Sequence, residues 1–328
     1  MPVRLGYACI NSRLRKKGIF ASKGITLATF RKKGLEEVKR IALSNIMDLY
    51  TILEFNEKKG IRFFRITSNL FPHLGSPFLS MSILGRNHYN IDFARSLLKK
   101  VGRFARENGH RLTMHPGQYT QLGSPNAVVV ERAIVDLTNH ADILRAMGMT
   151  PEMGSVIIIH GGGHFGDRTT TLKRFHRNFK KLPEYVQKYI TLENDEIYSV
   201  SDLLPTCIKL RIPLTPDFFH DTLNSVDYLT EKEVDIYSLM KYVIKTWKVR
   251  GIRPKCHYSH QMSGARRGAH SQTINSMDPL VLKTVHKYNM DVMLEVKDKE
   301  VSVFKLYKRY FDLTYDSKVD WEIKEQHT

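Results

Sequence analysis

Residues 156–193 read VIIIHGGGHFGDRTTTLKRFHRNFKKLPEYVQKYITLE. Two short apolar runs, Val156–His160 and Ile190–Glu193, are rich in β-branched residues, and each stops on a side chain able to hold a metal or a proton. Between them, Thr169–Leu182 carries apolar residues at helical spacing. A strand, a helix and a second strand in that order form the unit from which parallel sheets are built. The three glycines Gly161–Gly163 lack the rest of a Walker pattern and predict a tight turn with close backbone approach.

The unit recurs in both directions. Strands are predicted at Val3–Ala8, Ile61–Ile66, Leu112–His115, Pro213–Asp217, Pro254–Tyr258 and Val292–Glu295. Amphipathic helices are predicted at Leu35–Lys59, Asp92–Asn108, Ala127–Met147, Ser199–Leu210, Thr230–Lys245, Asp278–Tyr288 and Val301–Leu313. Lys59-Gly60 and Asn108-Gly109 read as helix stops, and Ser201 or Asp202 as a cap. No linker rich in Pro, Gly or Ser and no repeat interrupts the series. The expected fold is α/β: a single (β/α)₈ TIM barrel over residues 1–328, with a basic loop at about 12–34 and a short C-terminal tail. A doubly wound open sheet is the competing architecture. The strand ends favour the barrel. Tyr7, His115, His160, Glu193, Asp217, Lys255 with His257, and Glu295 would converge on one barrel face, whereas an open sheet would spread them along an edge.

Composition narrows the partners. The 328 residues are 42% hydrophobic, enough to bury a core, and hold 51 Lys and Arg against 33 Asp and Glu, a net charge of +18. A chain this basic attracts polyanions, nucleic acid first among them. Arg13, Arg15, Lys16, Lys17, Lys23, Arg31, Lys32 and Lys33 follow one another with no acid between, which reads as a phosphate-contacting arm. Cys9, Cys207 and Cys256 form no CxxC pair, so a reducing cytoplasmic location is expected. No apolar run approaches the ~20 residues that span a bilayer, and Met1 to Ala8 is too short and too interrupted by Arg4 for a secretory signal. Neither membrane association nor an obligate protein partner is expected. A Gly-x-Ser-x-Gly elbow and a His-Glu-x-x-His motif are both missing, which removes the common hydrolase and zincin readings.

Each strand-end residue alone has an ordinary explanation: a hydrogen-bonded histidine, or a helix-capping acid for Asp217 and Glu193. Together they are harder to set aside, because His115, His160, Glu193, Asp217, His257 and Glu295 end six consecutive predicted strands. His220 follows Asp217 by three residues, and His270 lies in the loop after the seventh strand. Imidazoles and carboxylates without cysteine suit Zn²⁺, Mn²⁺ or Fe²⁺, and the set exceeds what one ion can use. Two or three divalent ions bridged by a carboxylate such as Glu193 are therefore expected. Such centres suit phosphodiester cleavage, since ions supply hydroxide near neutral pH and neutralise charge on the phosphate and the leaving oxygen.

At these residues the chain resembles the UV damage endonuclease family, over Leu5 through Glu295. The motifs are Leu5-Gly6-Tyr7 with Asn11, Ser68-Asn69-Leu70-Phe71-Pro72-His73, and His115-Pro116-Gly117-Gln118-Tyr119. Ile159-His160-Gly161-Gly162, Leu192-Glu193-Asn194-Asp195, Asp217 with His220, Lys255 with His257, His270, and Leu294-Glu295 complete them. The resemblance implies a barrel similar to endonuclease IV and the sugar isomerases. It implies a hydrolase of DNA excision repair that nicks duplex DNA 5′ to cyclobutane pyrimidine dimers and 6-4 photoproducts, usually with manganese. By the same resemblance His115, His160, Glu193, Asp217, His220, His257, His270 and Glu295 would be metal ligands. His73 would lie beside the metals or the scissile phosphate, and Lys255 matches a lysine that can be carboxylated. Glu193, Lys255 and His73 would thus be the catalytic residues. Gln118 and Tyr119 match residues that probe the duplex at the lesion, and Tyr7 and Asn11 match others near the DNA.

Two segments depart from the family pattern. Phe218-Phe219-His220-Asp221 stands where relatives carry a denser histidine run, and Ser259–Gly264 replaces a Ser-x-Pro-Arg type of sequence. Both leave the ligand set intact and bear on groove shape and lesion range. The rivals are an abasic-site endonuclease or a sugar isomerase or epimerase on the same barrel, and, in another class, a non-catalytic lesion-binding protein. The basic block speaks against the isomerase, and the full set of strand-end ligands speaks against pure binding.

Overall fold

The structure, a computed structural model, describes residues 3–76, 79, 89–314 and 320–324. The expected strand-helix alternation is present. In chain order the elements are β1 Leu5–Ala8, α1 Ser12–Arg15, α2 Leu27–Lys58, β2 Phe63–Ile66, α3 Arg95–Glu107, β3 Arg111–Met114, α4 Ala127–Ala146 and β4 Ile157–His160. They continue with α5 Arg168–Phe179, α6 Glu184–Tyr189, β5 Ile190–Glu193, α7 Val200–Leu210, β6 Leu214–Thr215 and α8 Phe218–Leu223. A hairpin of β7 Val226–Asp227 and β8 Lys232–Glu233 follows, then α9 Ile236–Lys248, β9 Lys255–Tyr258, α10 Pro279–Tyr288, β10 Asp291–Leu294, α11 Glu300–Tyr310, β11 Phe311–Thr314 and β12 Asp320–Ile323.

Eight parallel strands form one sheet in the order β6-β5-β4-β3-β2-β1-β10-β9. It curls into a nearly closed barrel. The remaining seam, between β6 and β9, is joined by a parallel bridge between Asp217 and His257, where the His257 amide donates to the Pro216 carbonyl at 2.9 Å. Strand residues are buried throughout β1, β3, β5, β9 and β10, as expected of a parallel sheet covered by helices. Ile157, Ile158 and Ile159 are within 2% of full burial, each contributing about 1.5–3 kcal/mol by leaving water. The opposite, N-terminal end of the barrel is closed by charge. Arg111 reaches from the start of β3 to Asp291 at the start of β10 (2.8 Å), and donates to the carbonyls of Gly154 and Arg253.

Several boundaries differ from the sequence reading for local reasons. Gly34 adopts φ 74° and breaks α2, which is why periodicity alone starts at Leu35 although the helix begins at Leu27, capped by Thr26. The basic block is accordingly not one loop: Ser12–Arg15 is a helical turn capped by Asn11, and Arg31 to Lys33 lie in α2. The helix expected from Thr230 starts at Ile236 behind the Asp235 cap, after the β7-β8 hairpin. The helix expected to reach Leu313 stops at Tyr310, where the chain turns into the antiparallel β11-β12 pair.

Candidate metal centre

The barrel topology carries the strand-end residues to one mouth. His160 and Glu193 end β4 and β5, and His115 and Glu295 come one residue after β3 and β10. Asp217 caps α8: its Oδ1 accepts from the amides of Phe219 (2.7 Å) and His220 (2.9 Å). Its Oδ2 is buried with no hydrogen-bond partner. The capping role and a ligand role therefore coexist on one carboxylate.

Glu193 is the hub. Its Oε2 is 3.0 Å from His115 Nε2 and 3.8 Å from His160 Nε2, while its Oε1 is 2.6 Å from His257 Nδ1 and 3.8 Å from His220 Nδ1. Two groups of three ligand atoms, each packed within 4.8 Å, share it: His115, His160 and Glu193, and Glu193, Asp217 and His257. The imidazoles are pre-oriented. His115 Nδ1 donates to the Pro116 carbonyl (3.0 Å), His160 Nδ1 to Asp195 (3.0 Å) and His220 Nδ1 to the Asn194 carbonyl (3.0 Å). Each of those bonds fixes the proton on Nδ1 and leaves Nε2 with the lone pair that could bind a metal ion. His115 Nε2 and His160 Nε2 lie 3.2 Å apart. Two lone pairs cannot face each other at that distance without a positive charge between them.

Burial works to lower His160, but the bond to Asp195 and the charge of Glu193 outweigh it and raise its pKa to about 9. His220 is likewise raised, to about 10, because Asp217 and Glu193 overcome its burial. Burial holds His115 and His257 well below the usual imidazole value. Glu193 is pushed up by burial, and Glu295 is held well below its usual range because Arg65 and His257 outweigh burial. The residues present fit divalent cations: buried oxygens and imidazole nitrogens converge, an acceptor is left unpaired, and no thiol competes.

Other expected site residues fall at different distances from this hub. His270 Nε2 is 3.4 Å from Glu295 Oε2, and its buried Nδ1 has no partner. Lys255 is fully buried with its Nζ 2.6 Å from His257 Nε2, and burial brings its pKa down to about 7. Gln118 and Tyr119 line the mouth with His115, His160, His220, His270 and Glu295, around a cavity of about 450 Å³. Tyr119 is 82% exposed, the most exposed large apolar side chain described. His73 points elsewhere, its Nε2 donating to the Ile25 carbonyl at 2.6 Å. Tyr7 and Asn11 correct the sequence reading. Both are fully buried, Tyr7 bonded to Asn56 (2.6 Å) and Asn11 to Tyr7 (2.9 Å), so neither presents a surface to DNA.

Three residues of the site escaped the sequence reading. Arg65, inside β2, pairs with Glu295 through a direct hydrogen bond. A lone cation in the strand Phe63–Ile66 was the available signal. Asp195 orients His160, and Asn194 holds both the amide and the carbonyl of Asp217 (2.7 and 2.9 Å). Both stand in the quoted Leu192–Asp195 motif.

A parallel barrel with imidazoles and carboxylates at its C-terminal mouth is a recurrent class, and endonuclease IV of Thermus thermophilus shares the fold (TM-score 0.52, 11% identity, 79% of this chain and 91% of that one). Within that class the match is specific. The model of the UV-endonuclease UvdE family matches residues 3–324, and the chain belongs to that family. The crystal structure of SacUVDE superposes with a TM-score of 0.79 at 34% identity, covering 94% of this chain and 97% of that one. A protein of Acanthamoeba polyphaga mimivirus, provisionally named a UV-damage endonuclease, is 48% identical over 315 residues, 95% of this chain and 92% of its own length. The UV-damage endonuclease of Schizosaccharomyces pombe is 41% identical over 317 residues; the match covers 94% of this chain and half of that protein. The chain is therefore a DNA repair endonuclease of the UV-damage type. No helix among the described residues is long and apolar enough to cross a membrane.

Proposed function

We propose that this endonuclease depends on divalent ions, manganese foremost, with zinc or other ions as alternatives, and nicks duplex DNA 5′ to cyclobutane pyrimidine dimers and 6-4 photoproducts. It acts inside the cell on chromosomal DNA. The observation that carries the metal reading is the facing pair of Nε2 atoms of His115 and His160, 3.2 Å apart and both held with the proton on Nδ1. His115 and His160 would hold one ion with Glu193. Asp217, His257 and Glu295 would hold another with the same carboxylate, and His220 with His270 a third. Bound there, the ions would activate water and neutralise charge on the phosphate.

Lys255 follows from this set. If His257 uses Nδ1 toward an ion, its Nε2 must carry a proton and needs an acceptor 2.6 Å away, where Lys255 Nζ sits. An ammonium cannot accept, so Lys255 would be a neutral amine or an anionic carbamate. Gln118 and Tyr119 would wedge into the duplex beside the mouth and hold the damaged nucleotides toward the centre. A photodimer stacks and pairs poorly, so extruding it costs less than extruding intact bases. His73 would act from the rim rather than as a ligand.

The test is incision of end-labelled duplexes carrying a thymine dimer, an abasic site or no lesion, by protein stripped with chelator and supplied with ions one at a time. Incision 5′ to the dimer that returns only with added ion is expected. Full activity of the stripped protein would overturn the metal reading, and equal cutting of abasic and dimer duplexes would overturn the lesion assignment.

A further inference from the structure

A second concave site lies on the outer wall of the barrel, between α5 and the end of α7. It encloses about 440 Å³ and is lined by Lys173, His176, Arg177, Lys180 and Lys209 with Leu210. Lys173, His176, Arg177 and Lys180 are spaced so that they share one face of the α5 stretch, and Lys209 faces them from the last turn of α7. Among the described residues no carboxylate lines this cavity. Among them, too, no ion pair is formed by Lys173, Arg177, Lys180 or Lys209; the acid that Lys173 influences is the exposed Asp167 at the start of the helix.

Ordinary surface cations on a helix alternate with acids or spread into solvent. Here they converge in a hollow with their repulsion unrelieved. The ring of His176 is anchored by Thr206 Oγ1 at 3.0 Å, and burial together with Lys209 and Lys180 lowers its pKa. Such a hollow is complementary to closely spaced anions. At 1.5 Å per residue the lining residues Lys173 to Lys180 lie roughly 9 to 20 Å along the helix axis from its Asp167 cap, and none of them lines the cavity at the mouth.

We propose that this groove is a second DNA-binding site, taking the phosphate backbone of a duplex segment other than the one at the mouth. The site makes the enzyme able to hold two segments at once and to pass from one to another while searching. The inference rests on the chain being an endonuclease that acts on DNA, and on no metal or lesion assignment.

The test uses the full chain and its neutralised variant Lys173→Gln/Arg177→Gln/Lys180→Gln/Lys209→Gln, with the corresponding Lys→Arg variant as a charge-preserving control. Two undamaged duplexes, one carrying a donor dye and one an acceptor, report bridging by energy transfer at low salt, and mass photometry counts chains and duplexes per complex. One wild-type chain with two duplexes is expected. Bridging should vanish in the Gln variant and persist in the Arg variant, while incision of a single short lesion duplex stays at the wild-type rate in both. Each lost phosphate contact lowers the salt slope of binding by ~0.9, so second-duplex binding should lose up to about 3–4 units of slope. The proposal is overturned if wild type never bridges, if complexes contain two chains, if the Gln variant bridges normally, or if its incision falls along with bridging. A melting temperature measured for each variant separates loss of fold from loss of the site.

Discussion

Replacing Asp195 with Asn changes one atom beside the proposed centre. Oδ1 accepts from the amides of Ile197 (2.9 Å) and Tyr198 (2.8 Å), and an asparagine oxygen keeps both bonds. Those bonds also fix the orientation of the side chain, so the new amide nitrogen must stand where Oδ2 accepted from His160 Nδ1 at 3.0 Å. Two donors then face each other. The imidazole must rotate, or move its proton to Nε2, the nitrogen that faces His115 at 3.2 Å. In both cases it loses the lone pair offered to an ion. Removing an outer partner of this kind lowers metal affinity about 10–100-fold, or ~1.4–2.7 kcal/mol. Without the carboxylate, the pKa of His160 falls from its raised value as well. Titration of Mn²⁺ against a chromophoric chelator reads the affinity, and incision at saturating Mn²⁺ reads the chemistry. The expected result is weakened binding, incision largely restored by excess ion, and a melting temperature close to wild type. Unchanged Mn²⁺ affinity would refute the reasoning and reduce Asp195 to a support for the loop it caps.

Further outcomes can be checked independently. Glu193→Gln should abolish incision while binding of a lesion duplex, measured by anisotropy, stays within a fewfold of wild type. Gln118→Ala/Tyr119→Ala should lower lesion affinity roughly tenfold or more, from the ~1–3 kcal/mol per stacked base, with metal content and binding of undamaged duplex unchanged. At the far end of the barrel, hydrogen bonds from His110 and Arg62 outweigh burial and hold the Glu57 carboxyl at about 2. A depressed carboxylate contributes stability above its unfolded value and loses it as pH falls toward the folded one. Melting temperature should therefore drop between about pH 4.5 and 2 in wild type, and more gently in Glu57→Gln.

Much of this molecule is legible in its sequence because a parallel barrel sends every strand end to one mouth. Once the alternation of strand and helix is read, His115, His160, Glu193, Asp217, His257 and Glu295 are brought together by topology alone. What that reading could not reach depends on who sits opposite whom. Arg65 meets Glu295 because β1 lies between β2 and β10 in the sheet, a neighbourhood no spacing encodes. Tyr7 and Asn11 have the same chemical look as mouth residues. Their hydroxyl and amide instead form a closed network with Asn56, far away in the chain, and are sealed in the core. The basic block misled in a similar way. Its charges are continuous along the chain, but the Thr26 cap divides them, with Arg31 to Lys33 on α2 and the rest in the turns before it.

The seam between β6 and β9 has one more implication. Seven of the barrel's joints are hydrogen-bonded strand pairs, while the eighth is a bridge between Asp217 and His257 and a bond from the His257 amide to Pro216. The two residues that fasten the hoop are also members of the buried group around Glu193 that could hold a metal ion. If the proposed centre takes its ion there, structural closure and site occupancy would be one equilibrium. A cation held by both side chains would act as a rivet through this joint, and opening the joint would release it. Backbone stability around the mouth would then be a readout of ion loading.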